Sequence, residues 1–173
     1  MQKMNKTLFL FLGLLSLVAG RTYAQSFEDR LHFEISEGSG PKMKSVTPLD
    51  FSFKAQVDII PRMYVFATAE SNTALYKKDD VKTYFCGESL GGGLAVKLLD
   101  KKKTSHALDV RLKVLSSIGH ADWKRTTYDA SLAWYLESHR FSPVVECGYR
   151  FIDSRTDALS NYSNFYVTFG IRY

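Results

Sequence analysis

The chain has 173 residues, with 23 Lys and Arg against 18 Asp and Glu, and 45% of it is hydrophobic. Three of the bases (Lys3, Lys6, Arg21) fall within the first 24 residues, which hold no acid, and the remainder is left with 20 bases against 18 acids. That balance gives no ground for a nucleic-acid partner, and roughly 149 residues is the size of one domain.

The first segment is read as an export signal. Lys3 and Lys6 precede an apolar run at residues 7–20, TLFLFLGLLSLVAG, and the small residues Thr22 and Ala24 precede Gln25. A charged start, an apolar centre and a small-x-small exit describe a secretory signal peptide over 1–24, with cleavage after Ala24. The apolar run is shorter than the roughly 20 residues of a spanning helix. The expected domains are therefore the signal, 1–24, and a single β domain, 25–173.

Beyond it, apolar and polar residues alternate with period two, the mark of strands with one apolar face. Residues 30–36 set Leu31, Phe33 and Ile35 against His32, Glu34 and Ser36. Residues 49–59 set Leu49, Phe51, Phe53, Ala55, Val57 and Ile59 against Asp50, Ser52, Lys54, Gln56 and Asp58. A third strand spans 63–70, with large apolar groups in both registers and its facing open. The fourth, 84–99, carries Leu90, Leu94, Val96 and Leu98 on one side and Ser89, Gly91, Gly93 and Lys97 on the other.

Strands five to seven follow at 106–115, 126–136 and 141–151. Asp109, Arg111 and Lys113 oppose Leu108, Val110, Leu112 and Val114; Asp129 opposes Tyr128, Leu132 and Trp134; Glu146 and Arg150 oppose Phe141, Val145, Cys147, Tyr149 and Phe151. The eighth, 165–173, alternates Phe165, Val167, Phe169, Ile171 and Tyr173 with Tyr166, Thr168, Gly170 and Arg172. Short connections are expected at 60–62, 100–105 and 137–140, and longer polar loops at 37–48, 71–83, 116–125 and 152–162.

The closing strand, FYVTFGIRY, resembles the last strand of small bacterial outer-membrane β-barrels, and the pattern of the whole chain after residue 24 resembles the eight-stranded OmpA/OmpX type. The resemblance implies an all-β fold, an eight-stranded antiparallel up-and-down transmembrane β-barrel in the bacterial outer membrane. It also implies contact with membrane lipid and lipopolysaccharide, and with the barrel assembly machinery through the strand ending at Tyr173. In this reading Glu34, Lys54, Lys97, Asp109, Arg111, Lys113, Asp129, Glu146, Arg150 and Arg172 form a lumen charge network, because charges shut away from water must be paired. Phe51, Tyr128, Trp134, Phe141, Tyr149, Phe151, Phe165 and Tyr173 form aromatic belts at the two membrane interfaces.

Eight strands enclose a lumen that side chains can fill, so a general diffusion pore is not expected. The expected role is structural or surface-interactive, through loops that meet an extracellular partner. Two rival readings are a lipid-modifying barrel enzyme using Ser89, His120 and Asp122, and a secreted soluble barrel with its apolar register turned inward around a ligand.

One motif points elsewhere. Gly87-Glu88-Ser89-Leu90-Gly91 matches the G-x-S-x-G of a nucleophile elbow, which needs a strand-turn-helix context. The flanking one-face-apolar strands deny it that context, and no catalytic residue is assigned. Cys86 and Cys147 fall on strands too far apart for a disulfide. The four histidines show no metal-ligand spacing, and neither metal nor cofactor is expected.

Overall fold

A computed structural model describes residues 30–41, 46–78, 81–99, 106–120, 124–136, 141–155 and 161–173. The signal assigned to 1–24 lies outside the described residues. Eight strands follow in chain order: β1 (Leu31–Ser39), β2 (Val46–Ile60), β3 (Met63–Lys78), β4 (Val81–Leu99), β5 (His106–Ile118), β6 (Arg125–Leu136), β7 (Ser142–Ser154) and β8 (Tyr162–Arg172). Each is antiparallel to its sequence neighbour, and β1 pairs with β8 to close the barrel. The seam ends with reciprocal backbone bonds between Phe33 and Tyr173, 2.9 Å and 2.8 Å. Closure leaves no sheet edge around the wall.

The strands outrun the alternating segments that announce them. The loop expected over 71–83 is mostly ladder, with Ser71 facing Glu88 and Lys78 facing Val81. β5 continues to Ile118, and β7 to Ser154. Apolar alternation marks only the part of a strand that has one apolar neighbour, whereas backbone pairing continues where neither face is apolar. Ser71, Asn72 and Thr73 are such a stretch.

Period two sorts the side chains cleanly. Among the described residues, eleven apolar side chains are buried against twenty polar or charged ones. The large apolar residues are on the outside: Ile35, Phe53, Leu90, Leu112, Leu132, Phe169 and Ile171 are each more than 40% exposed. The open facing of β3 resolves with Tyr64, Phe66, Thr68, Glu70 and Asn72 inward. Phe66 finds room because Gly93 lies opposite on β4, where an added Cβ would meet the Phe66 ring at 2.6 Å.

Candidate functional site

The barrel interior is layered. At the end carrying the β2–β3 and β6–β7 connections, Ala107, Ala133, Tyr135 and Val144 form an apolar cluster. At the opposite end, the loop side, Ala74 and Ile152 pack with Phe85 and Tyr162. Between these lids lie two tiers of buried charge.

The lower tier is built on Glu34 of β1 and Glu146 of β7. Lys54 Nζ donates to both, at 2.7 Å and 2.6 Å. Arg111 Nη2 donates to Glu34 Oε2 at 2.7 Å and Nη1 to Glu146 Oε2 at 2.5 Å. Gln56 adds a bond to Glu34, and Ser131 and Tyr166 each donate to Glu146 Oε1 at 2.9 Å. Both carboxylates thus have several donors, the condition under which buried charge is tolerated. Arg111 Nε also donates to the Tyr64 hydroxyl, which donates to Asp109 Oδ2 at 2.8 Å.

The upper tier sets three acids against three bases. Arg150 grips Asp129 with two nitrogens, at 2.9 Å and 3.0 Å, and also donates to Asp50 and Glu70. Lys113 bridges Glu70 and Asp129 at 3.1 Å and 2.9 Å, and Arg125 lies 3.5 Å from Glu70. Tyr166 links the tiers, its ring 4.6 Å from the Arg150 guanidinium while its hydroxyl reaches Glu146. The remaining charges sit toward the lower end. Lys97 pairs with Asp58 at 2.6 Å, and Arg172 lies 5.0 Å from the Tyr135 ring.

All ten residues assigned to a lumen network lie on inward positions of their strands. The structure joins Glu34, Lys54, Arg111 and Glu146 in one tier, and Lys113, Asp129 and Arg150 in the other; Asp109, Lys97 and Arg172 stand at its margin. Glu70 and Arg125 belong to the same assembly, and sequence reasoning misses both. Glu70 ends a segment whose alternation leaves its facing open, and Arg125 falls in a stretch that reads as loop. Stepping the inward register of Asp129 and Thr127 back by two would reach Arg125.

The eight aromatic residues assigned to belts all stand outside, from 40% exposed for Trp134 to 69% for Phe165. Six of them pair into ring contacts near the two ends. Tyr128 packs on Phe151 and Tyr149 on Phe165 at the loop side, and Phe141 packs on Tyr173 at the other.

Ser89 lies within β4, points into the lumen and donates to Asn72 Oδ1 at 3.4 Å. The G-x-S-x-G segment is therefore strand on both sides of the serine. His120 is exposed on the turn after β5, and Asp122 lies outside the described residues. Cys86 and Cys147 are free thiols exposed on β4 and β7. Among the described residues no group of His, Cys, Asp and Glu is arranged to hold a metal.

Charges inside and apolar rings outside invert the usual order of a water-soluble barrel. The chain is an inside-out eight-stranded barrel. No family model matches it, and no curated protein does. Among solved structures, the chain is similar to the outer membrane protein Ail of Yersinia pestis, determined as a backbone structure in a phospholipid bilayer nanodisc. The likeness has 12% identity and a TM-score of 0.49, over 83% of this chain and 99% of that one.

Proposed function

We propose that this protein is a small bacterial outer-membrane barrel, plugged by its own side chains, which acts as a surface-interaction module on its loop side. The observation that carries the reading is the inverted facing. A wall bearing Phe53, Leu112, Leu132 and Phe169 outward would be a severe liability in water and is the ordinary surface of a barrel in lipid. Lipid and lipopolysaccharide are the expected surroundings of that wall. A secreted soluble barrel is disfavoured, because its apolar register would have to face inward.

The interaction role is supported by what projects from the rim. The β4–β5 ladder ends at Glu88 and Ile118, while the β3–β4 ladder runs on to Lys78 and Val81. On the other side β1–β2 ends at Ser39 and Leu49, while β2–β3 continues to Val46 and Tyr76. A three-stranded β2–β3–β4 sheet therefore rises above the wall, and along β4 it extends by seven residues, roughly 23 Å. Val81–Gly87 has a ladder on one side only among the described residues, which is the kind of edge an extended polypeptide joins by strand addition. The expected partner is an extracellular protein with an extended segment. No enzymatic step is proposed, since the buried Ser89 hydroxyl is engaged by an amide, which is no general base.

Two measurements test the reading. The chain without its first 24 residues, refolded in detergent, should migrate faster unboiled than boiled on a denaturing gel and should not fold in plain buffer. A variant in which residues 75–84 are replaced by a two-residue turn should keep that shift and lose adhesion of cells displaying it to an immobilised, strand-forming extended polypeptide. A soluble monomer in plain buffer would sink the membrane reading, and unchanged adhesion would sink the role of the projecting sheet.

A further inference from the structure

Period two leaves one exception on the outer wall. Glu37 of β1 faces outward, on the same side of the strand as Phe33, Ile35 and Ser39. Its partners across the ladders are Phe51 of β2 and Phe169 of β8, 53% and 65% exposed. The Ile35–Ile171 pair lies below it, and Val167 lies above it on β8, all of them outward. The Glu37 carboxylate has no hydrogen bond or ion pair with the described residues. Among the described side chains, the other outward charges of the loop half stand at the rim. Lys124 and Arg155 flank the ends of β6 and β7, Asp153 accepts from Asn161 at 2.9 Å, and Glu88 closes the β4–β5 ladder beside Ser71.

Depth makes this position costly. Phe51 belongs to the loop-side belt, but on β8 the belt residue Phe165 lies four residues beyond Phe169 toward the loops, roughly 13 Å along the strand. With strands tilted as in a membrane barrel, Glu37 stands roughly 5 Å inside the apolar band. An unpaired charge facing lipid there lowers stability, and an ionisable group held at such a depth marks a contact. The complement of a carboxylate beside two phenylalanines is an organic cation, drawn by the charge and by the ring faces. Of three carriers of such a cation in that leaflet, two fit poorly. A second copy would bring Lys124 or Arg155, which stand at the rim above Glu37. A lipid ammonium stays at headgroup level. A basic amphipathic helix instead sinks its apolar face about 5–10 Å below that boundary, with lysines along the border of the face. It brings a base to the depth of Glu37 and apolar side chains to Phe51 and Phe169.

We infer that Glu37, with Phe51 and Phe169, is the docking contact for a basic amphipathic helix that enters the outer leaflet from outside the cell. This rests on the membrane reading, which turns the loop end of β1 outward and sets Glu37 in that leaflet. Glutamate at this position then costs the free barrel some stability, and the bound helix supplies the missing cation.

The test places the refolded full β domain in phosphatidylcholine nanodiscs and titrates a fluorescent synthetic amphipathic helix of leucine and lysine, read by anisotropy. Wild-type discs should bind it about tenfold more tightly than empty discs or discs holding Glu37→Gln, the size of one charge-assisted pair. The same helix with glutamate for lysine should show no preference. Glu37→Gln keeps the shape of the side chain, and an unchanged heat-dependent gel shift reports that it folds. A second variant, Glu37→Leu, should raise the urea midpoint of the barrel in vesicles, because a lipid-facing charge is gone. A lowered midpoint would pair the carboxylate within the chain and overturn the inference, and so would equal binding of the helix by wild type and Glu37→Gln. Loss of the preference when phosphatidylethanolamine replaces part of the phosphatidylcholine would assign Glu37 to a lipid ammonium, and a dimer in the discs that Glu37→Gln dissolves would assign it to a second copy; either overturns the helix. A chain that folds in plain buffer overturns the membrane reading itself, and this inference with it.

Discussion

Arg111 of β5 crosses the lumen to Glu34 of β1, its Nη2 lying 2.7 Å from Oε2, and so ties together strands four places apart around an eight-stranded wall. The same guanidinium meets Glu146 and the Tyr64 hydroxyl. One side chain therefore anchors strands β1, β3 and β7 to β5. Removing it leaves Lys54 as the one cation bonded to Glu34 and Glu146 among the described residues, beside the neutral donors Gln56, Ser131 and Tyr166. Arg111→Met should destabilise the barrel by about 3–5 kcal/mol, the range for an uncompensated buried charge. Arg111→Lys, which keeps the charge and loses the fork, should cost less. Urea unfolding of the refolded protein in vesicles, followed by tryptophan emission, measures both. Equal midpoints for all three proteins would contradict the role given to this contact.

Conductance tests whether the tiers plug the lumen. Glu34→Ala combined with Arg111→Ala removes one acid and one base together, leaving Lys54 paired with Glu146 at 2.6 Å, so the remaining charges stay balanced. The lower tier would then lose its widest bridge. In planar bilayers the wild type should pass little current, and the double variant should show a higher single-channel conductance under the same salt. An open, strongly conducting wild type would refute a lumen filled by side chains.

Gly93 faces the lumen where the wall leaves no room for a side chain. A Cβ there would stand 2.0 Å from the Leu112 carbonyl oxygen and 2.6 Å from the Phe66 ring. Gly93→Ala is expected to lower stability by about 1–3 kcal/mol, as overpacking does. Adding Phe66→Leu should restore little, because the nearest obstacle is backbone and not the ring. Full rescue by the second change would show that ring contact alone fixes glycine at this position.

These contacts also mark how far the sequence can be read. Inward and outward positions follow from alternation alone, which is why Lys54, Arg111 and Glu146 fall on one face of their strands by period two. Closure is legible only in outline, through the even strand count and a final strand rich in outward aromatics. Which charges meet across the lumen is not legible. Arg111 and Glu34 are 77 residues apart, and their contact depends on barrel diameter and stagger, which alternation does not encode. The rim misleads for the opposite reason. Residues 71–73 pair as strand without an apolar face, so the signal that identifies strands is missing where pairing persists.

The decisive contrast for membrane insertion is between two outward residues with the same exposure. Leu132 on β6 and Ile118 on β5 are each 45% exposed. They differ in height. Leu132 lies near the middle of β6, between the Tyr128 and Trp134 levels, whereas Ile118 is the last residue of β5 on the loop side. In water, equal exposure means near-equal tolerance of a charge. In a bilayer the midplane position is dehydrated and the end of the strand is not. Leu132→Arg should therefore destabilise the refolded barrel by about 2–4 kcal/mol, and Ile118→Arg by about 0–1 kcal/mol. Reversible urea titrations of both variants in the same vesicles give the difference directly. Matching stabilities would mean that lipid does not surround the wall at Leu132, and the inverted facing would need another cause.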